Sequence, residues 1–264
     1  MKPLGSEPIK KLLQTKKIGK AIHFFKEITS TNDVAFELAR NGALDGTVVI
    51  ADSQTDGRGR LQRKWISPPG LNLYISVILR PVIPAKDAPL FTLVSSVALA
   101  ETIRNEGANP SIKWPNDIFI EGKKVAGVLT EMQTKGDQAE FVVVGIGVNI
   151  NMKKENLNKE MREIAEIATS IGEATGRKID RSAFTAGLIN NLEKWYKKFQ
   201  MQGRKSIIEE WMKMCGTINR RVKVKFNEKE IEGIACRVDE NGYLVLRKDD
   251  GTIETIVAGD VIVL

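Results

Sequence analysis

Apolar residues recur along this chain with two periods, and the change of period marks its elements. Ala21-Ile22-His23-Phe24-Phe25-Lys26-Glu27-Ile28 is short, apolar and aromatic-rich, which predicts a strand. Ser30-Thr31-Asn32-Asp33 then offers side-chain oxygens for a helix N-cap, and a helix to about Asn41-Gly42 is expected. Thr47 to Ala51 and Asn72 to Leu79 read as buried strands. From Pro89, the positions Leu90, Leu93, Val94, Val97 and Ala98 fall at helical spacing, so a helix with one buried face runs to near Gly107. Further strands are expected at Ser111 to Trp114, Lys124 to Gln133 and Glu140 to Val148, with turn chemistry at Glu121-Gly122. Asp180 can cap a long helix whose stripe of Phe184, Leu188, Leu192, Trp195 and Phe199 is core rather than a cofactor box.

Past Cys215 the pattern becomes alternation. Val222, Val224 and Phe226 are followed by Ile231 to Val238, Tyr243 to Leu246, Thr252 to Val257 and Val261 to Leu264, with turns at Glu240-Asn241-Gly242 and Asp249-Asp250-Gly251. Short strands of this kind make a small β-barrel. The expected organisation is a tail or connector over residues 1–20, a catalytic unit over 21–215 and a C-terminal unit over 216–264.

Composition narrows the class. With 264 residues, 42% of them hydrophobic, the chain can bury one large core and a small one. No apolar run approaches the roughly 20 residues that cross a bilayer, and Met1 to Lys20 lacks the apolar stretch of a signal peptide, so a cytoplasmic protein with no membrane partner is expected. Cys215 and Cys236 are too few for a disulfide framework and are expected to be reduced and buried. The net charge of +7 suggests nucleic acid until its distribution is read. Residues 1–20 hold six Lys and one Glu, whereas 216–264 hold eight Lys/Arg against nine Asp/Glu. The excess is largely terminal, and a duplex-binding face needs cations clustered on a folded module, so DNA is not an expected partner.

Four segments carry candidate chemistry. Gly57-Arg58-Gly59-Arg60-Leu61-Gln62-Arg63-Lys64-Trp65 puts four cations around two glycines with little to anchor them. It is either a solvated basic loop or a mobile clamp that settles on a polyanion. In Lys113-Trp114-Pro115-Asn116-Asp117, Pro115 denies a ladder bond, so the chain is expected to turn out of its sheet and display Asn116 and Asp117. The alternative is a plain turn. Lys124 opens an apolar strand beside small residues. It is an edge lysine or, if inward, a partner for an anion. Gly145 and Gly147 interrupt a strand pattern, which fits a bulge or the close approach of another group. Other chemistries are excluded by pattern: there is no G-x-x-x-x-G-K-[ST], Gln62 replaces the third glycine of a G-x-G-x-x-G, and His23 is the one histidine, expected to be packed in its strand. No metal-ligand set is identified. What remains is stabilisation of charge.

Taken in order, Ser30-Thr31-Asn32, Gln54 to Trp65, Lys113 to Asp117, Lys124 to Gly127 and Gly145 to Asn149 resemble the biotin protein ligases over about residues 20–264. The resemblance implies an α+β fold: a mixed-sheet catalytic domain related to the class II synthetases and an SH3-like C-terminal β-barrel. It implies a monofunctional form without the N-terminal DNA-binding domain. The implied reaction joins biotin to ATP as biotinyl-5′-AMP, with Mg²⁺, and then passes biotin to a lysine of a biotin carboxyl carrier protein or domain. A homodimer is implied as well. Carried over residue by residue, Arg58, Arg60 and Lys124 are catalytic. Ser30, Thr31, Gln54, Gly57, Arg58, Lys124, Gly127 and Gly147 bind biotin, and Arg60, Arg63, Trp65, Lys113, Asn116 and Asn149 bind ATP or the adenylate. The chain departs from the family in stopping at Asp260-Val261-Ile262-Val263-Leu264, without the cationic residue that many members carry there.

Overall fold

The period-2 segments assemble into two sheets. The computed structural model of the chain describes residues 4–153, 167–226 and 229–264. The larger sheet has seven strands in the order β1-β2-β3-β7-β6-β5-β4. These are β1 (Ile22–Ile28), β2 (Val48–Gln54), β3 (Leu73–Leu79), β4 (Pro110–Lys113), β5 (Asp117–Ile120), β6 (Lys123–Lys135) and β7 (Gln138–Val148). β1 and β2 run parallel, joined through helix α2 (Thr31–Arg40), and every other pairing is antiparallel.

Alternation sends successive side chains to opposite faces, and the two faces of this sheet differ. On one, Leu73, Ile75, Val77 and Leu79 of β3 and Val142, Val144, Ile146 and Val148 of β7 join the main core with α3 (Leu90–Asn105) and α5 (Arg181–Met214), to which the short helices α1 (Ser6–Lys10) and α4 (Ile171–Thr175) add Ile9 and Ile171. The expected stripe on α5 is part of that core: Phe184 and Leu188 are fully buried, each worth about 1.5–3 kcal/mol. Asp180 caps α5 as expected, accepting from the N–H groups of Ser182 and Ala183. The helix runs beyond Phe199 and breaks direction at Gly203, whose φ of 73° suits glycine. On the opposite face, Ile78, Phe141 and Val143 pack beneath Ala35 and Ala39 of α2. This cover stops where β7 reaches Gly145.

The smaller sheet, in the order β11-β10-β9-β8-β12, is the expected C-terminal β unit: β8 (Arg221–Phe226), β9 (Lys229–Val238), β10 (Leu244–Arg247), β11 (Ile253–Ile256) and β12 (Asp260–Val263). It is antiparallel throughout. Trp114 joins the two units, buried and donating its indole N–H to Gly242 O at 3.0 Å.

Three expectations are corrected. The chain does not leave the sheet after Trp114. It turns back through a cis Trp114–Pro115 bond, and Asp117 opens β5, paired with Lys113. Pro115 occupies the turn itself, where no ladder bond is needed. His23 is exposed rather than packed, because β1 is an edge strand with little covering it. Cys215 and Cys236 are free but only half-buried. Residues 4–20 lie against α5: Leu4, Ile9 and Ile18 are buried, and Glu193 Oε1 and Oε2 accept from the backbone N–H groups of Lys16, Lys17 and Ile18 at 2.8 Å each.

Candidate active site

Beyond the end of α2 no helix covers this face of the sheet, which becomes the floor of a cavity of about 690 Å³. Register makes the floor. Ser76, Gly145 and Leu129 stand opposite one another across β3, β7 and β6, and the next row on the same face is Tyr74, Gly147, Gly127 and Asp117. The glycines are explained by close approach rather than by a bulge. A Cβ on Gly145 would fall 2.0 Å from Asn32 Oδ1, and one on Gly147 would fall 2.6 Å from the Trp65 ring.

The first turn of α2 forms one wall. Ser30 stands at the N-cap position without a side-chain cap bond, contrary to the expected role of its hydroxyl. The capping acceptor is Gln54 Oε1, 2.8 Å from Thr31 N, and Gln54 Nε2 donates in turn to Ser67 Oγ. Ser76 Oγ lies 2.8 Å from Thr31 Oγ1 and 2.6 Å from Asn32 Oδ1. A hydroxyl has one proton and an amide oxygen can only accept, so Ser76 donates to Asn32 and takes the proton of Thr31. Thr31 therefore faces the cavity as an acceptor. Asn32 Nδ2 donates to Glu131 Oε2 at 2.7 Å, which extends the network to Arg58.

The Gly/Arg segment closes the top as a small hairpin. Trp65 N donates to Gly57 O at 2.7 Å and Gly59 N to Arg63 O at 2.7 Å, with Leu61 and Gln62 at φ 54° and 58° in the turn. Gly57 does not line the cavity: a Cβ there would meet Ser67 Oγ and Trp65 O at 2.6 Å, so its place is in the wall behind. Trp65 lies on the floor, its indole nitrogen buried without a partner.

Lys124 points inward because of a β-bulge. Strict alternation from Gly127 would turn Lys124 to the other face. The register shift between Ile118 and Phe119 instead sets it opposite Phe119, a cavity residue. Its Nζ is 2.7 Å from Asp117 Oδ1 and 5.4 Å above the centre of the Trp65 ring. Asn116 and Asn149 flank it, each with an amide N–H held by a backbone carbonyl, Val128 O at 2.8 Å and Thr169 O at 3.1 Å.

Arg58, Arg60, Lys113 and Arg63 have partners too. Arg58 bonds Asp33 and, at 3.3 Å, Glu131. Burial works against its charge, yet those two carboxylates hold its pKa above the ordinary arginine value. Arg60 reaches Asn116 Oδ1 and Gly259 O, both at 3.3 Å, and burial lowers its pKa against the opposing pull of Asp260 and Asp117. Burial likewise lowers Lys113, which lies 5.2 Å over the Phe119 ring. Arg63 pairs with Asp260.

Apart from Gly57, the structure brings every expected site residue to one cavity. Asp33, Glu131 and Asp260 were not legible as partners of the loop, since each is an ordinary acidic residue far away in sequence. Ser76 had a signal: it is the lone serine in the apolar run Leu73 to Leu79.

A mixed sheet with a glycine floor, roofed by a cationic hairpin and joined to a small β unit, defines an α+β protein whose site can hold two anionic reactants together. Comparison with known proteins gives the family. The Biotin/lipoate A/B protein ligase family model matches residues 24–149, and the Biotin protein ligase C terminal domain model matches 217–264. The Bifunctional ligase/repressor BirA of Bacillus spizizenii is 37% identical over 98% of this chain and 78% of its own length. The Biotin–[acetyl-CoA-carboxylase] ligase of Paracoccus denitrificans is 31% identical over 84% of this chain and 92% of its own. Among solved structures, the biotin protein ligase from Aquifex aeolicus in complex with biotin and ATP superposes with a TM-score of 0.76 at 29% identity, covering 93% of this chain and 99% of that one. This chain belongs to the biotin protein ligase family.

Proposed function

We propose that this chain activates biotin with ATP to biotinyl-5′-AMP and then transfers biotin to a lysine of a biotin carboxyl carrier protein or domain. The observation that carries the reading is the glycine floor of Gly127, Gly145 and Gly147 beneath Arg58, Arg60 and Lys124: a flat, largely apolar slot whose open end is lined by cations.

The chemistry follows from charge. The carboxylate of biotin must approach the α-phosphate of ATP, and two anions meet only where fixed cations neutralise both. Arg60 and Lys124 supply that charge at the reacting centre. Trp65 rests on Gly147 in the unliganded chain, so it must lift for the apolar bicycle and tail of biotin to take its place on the floor. Its ureido group must be satisfied when buried, and Thr31, turned into an acceptor by Ser76, suits a ureido N–H. Ser30 and the remaining N–H of Gln54 complete that end. Arg63, Lys113, Asn116 and Asn149 face the nucleotide, and Trp65 covers the joined product against water, which would hydrolyse the mixed anhydride.

Mg²⁺ would be carried in by the nucleotide. Among the described residues no three acidic, His or Cys side chains gather to form a protein cage, and Mg²⁺ commonly relies on phosphates with one or two carboxylates. Asp117 and Asp260 are carboxylates that line the cavity, and the ion would withdraw charge from the pyrophosphate. The proposal takes residues 21–215 as the catalytic unit, 216–264 as its C-terminal partner and 1–20 as a connector. Ligase activity without DNA binding, and a homodimer, belong to the same proposal; gel shifts at low salt and sedimentation check those parts.

Incubation with ATP, biotin and a carrier domain should label one carrier lysine. Failure with several carriers, with adenylate formation also absent, sinks the reading. Competition between biotin and lipoate tests the choice of acid, and preference for lipoate would move the chain to the neighbouring branch of the family.

A further inference from the structure

The C-terminal unit reaches into the site at one place, Gly259-Asp260. Gly259 has φ 154°, a conformation for glycine, and a Cβ there would fall 2.6 Å from Val224 Cγ1 and 3.0 Å from Lys225 O. No larger residue fits, and in this conformation the Gly259 carbonyl is turned to Arg60. The next residue, Asp260, lines the cavity, pairs with Arg63 and bears electrostatically on Arg60 and Lys113. Its side chain is 30% exposed and that of Arg63 66%, so their ion pair is open to exchange.

A carboxylate among three cations that face the nucleotide stands where an anion of the ligand would stand. We propose that Asp260 is a positioning residue for the nucleotide subsite: it holds Arg63, and with it the Gly/Arg hairpin, until the polyphosphate of ATP takes over its cations. The inference rests on the function proposed above. It differs from a merely structural contact in one sign. A carboxylate that is displaced by ATP competes with it, so removing the charge tightens nucleotide binding while loosening the unliganded hairpin. A supporting strut, when removed, weakens both.

The test compares Asp260→Asn with Asp260→Glu in the full chain. At saturating biotin, pyrophosphate release should give an ATP KM about 3- to 5-fold lower for the Asn variant, with kcat within about twofold, the span that an exposed ion pair supports. Trypsin should cut the unliganded Asn variant after Arg60, Arg63 or Lys64 about 3- to 5-fold faster than wild type. Asp260→Glu, which keeps the charge, should behave as wild type in both. An ATP KM unchanged or raised in Asp260→Asn overturns the inference, as does unchanged cleavage. If wild type releases no pyrophosphate with biotin, the proposed function fails instead, and the cleavage arm still decides whether Asp260 holds the hairpin.

Discussion

Two surface segments of this molecule lack a core of their own and are held by carboxylates from distant parts of the chain, yet they are held in opposite ways. Residues 11–18 are fixed by Glu193, which is 4% exposed and accepts three backbone N–H groups and the Lys197 ammonium. The hairpin 57–65 is fixed by side-chain cations on Asp33, Glu131 and Asp260, all partly exposed. A backbone amide cannot move to a new partner without the chain moving. A guanidinium can. The first arrangement is a permanent anchor; the second keeps charges in place and ready to be exchanged for a ligand.

The largest expected effect lies on the exchangeable side. Arg60→Ala should lower the rate of adenylate formation by on the order of 10² to 10³, about 3–4 kcal/mol, by analogy with the loss of a donor to a developing anion. Biotin affinity should fall much less, and thermal stability should stay within about 1 kcal/mol, since Arg60 bonds a carbonyl and an amide oxygen rather than a packed core. Stopped-flow adenylation beside calorimetry measures both. Equal losses in biotin capture and rate would make Arg60 a simple binding residue.

Glu193→Ala should do the reverse. It strands three N–H groups and should cost about 3 kcal/mol of stability, leaving kcat within a few-fold. Burial opposes ionisation of Glu193, but the bonds from Lys197, Lys16, Ile18 and Lys17 outweigh it and hold its pKa down to about 2. The sign follows: a depressed carboxylate contributes its stability above the unfolded value of about 4.3, and the contribution is lost as pH falls towards 2. Between those limits wild type should lose stability faster than Glu193→Ala. Parallel acid-unfolding curves would show that Glu193 is no anchor.

A smaller effect is expected where the hairpin touches the floor. Gly147→Ala puts a Cβ 2.6 Å from the Trp65 ring, which must lift. Overpacking of this kind costs about 1–3 kcal/mol. The change should weaken biotin binding, brighten or shift Trp65 fluorescence against a Trp65→Phe control, and leave residues 4–20 untouched. An unshifted spectrum with normal binding would mean that Trp65 does not rest on Gly147.

The contrast also separates what the sequence revealed from what it withheld. Apolar periodicity carries the core strands and helices, because a buried face repeats with the element. The glycines at 145 and 147 left a bulge or a close approach open, and the structure decides for close approach by Asn32 and Trp65. β5 was hidden because Pro115 reads as an exit from a sheet, whereas a turn needs no ladder bond. The inward face of Lys124 depends on a bulge of one residue, which alternation cannot foresee. The two anchors were least visible of all: Glu193 and Asp260 act across 175 and 197 residues, and a lone acidic residue gives no sign of its partner.

The smallest expected effect concerns the hairpin turn. Leu61 and Gln62 occupy the left-handed region at φ 54° and 58°, which side chains other than Gly, Asn and Asp adopt at a cost of about 1 kcal/mol each. Asn-Gly is the preferred pair where two successive residues have positive φ. Leu61 is 64% exposed, so replacing it removes little packing. The double change Leu61→Asn with Gln62→Gly should therefore favour the closed hairpin by about 1 kcal/mol, partly offset by the freedom that glycine gains when the hairpin opens. Hydrogen exchange at the amides of Gly59 and Trp65, which bond Arg63 O and Gly57 O across the hairpin, should slow by a few-fold. Exchange at Lys16, Lys17 and Ile18 should not change, because their anchor shares no residue with the turn. Faster exchange at Gly59 and Trp65 would mean that the left-handed pair is not what strains the closed hairpin, and that its ion pairs alone decide how readily it opens.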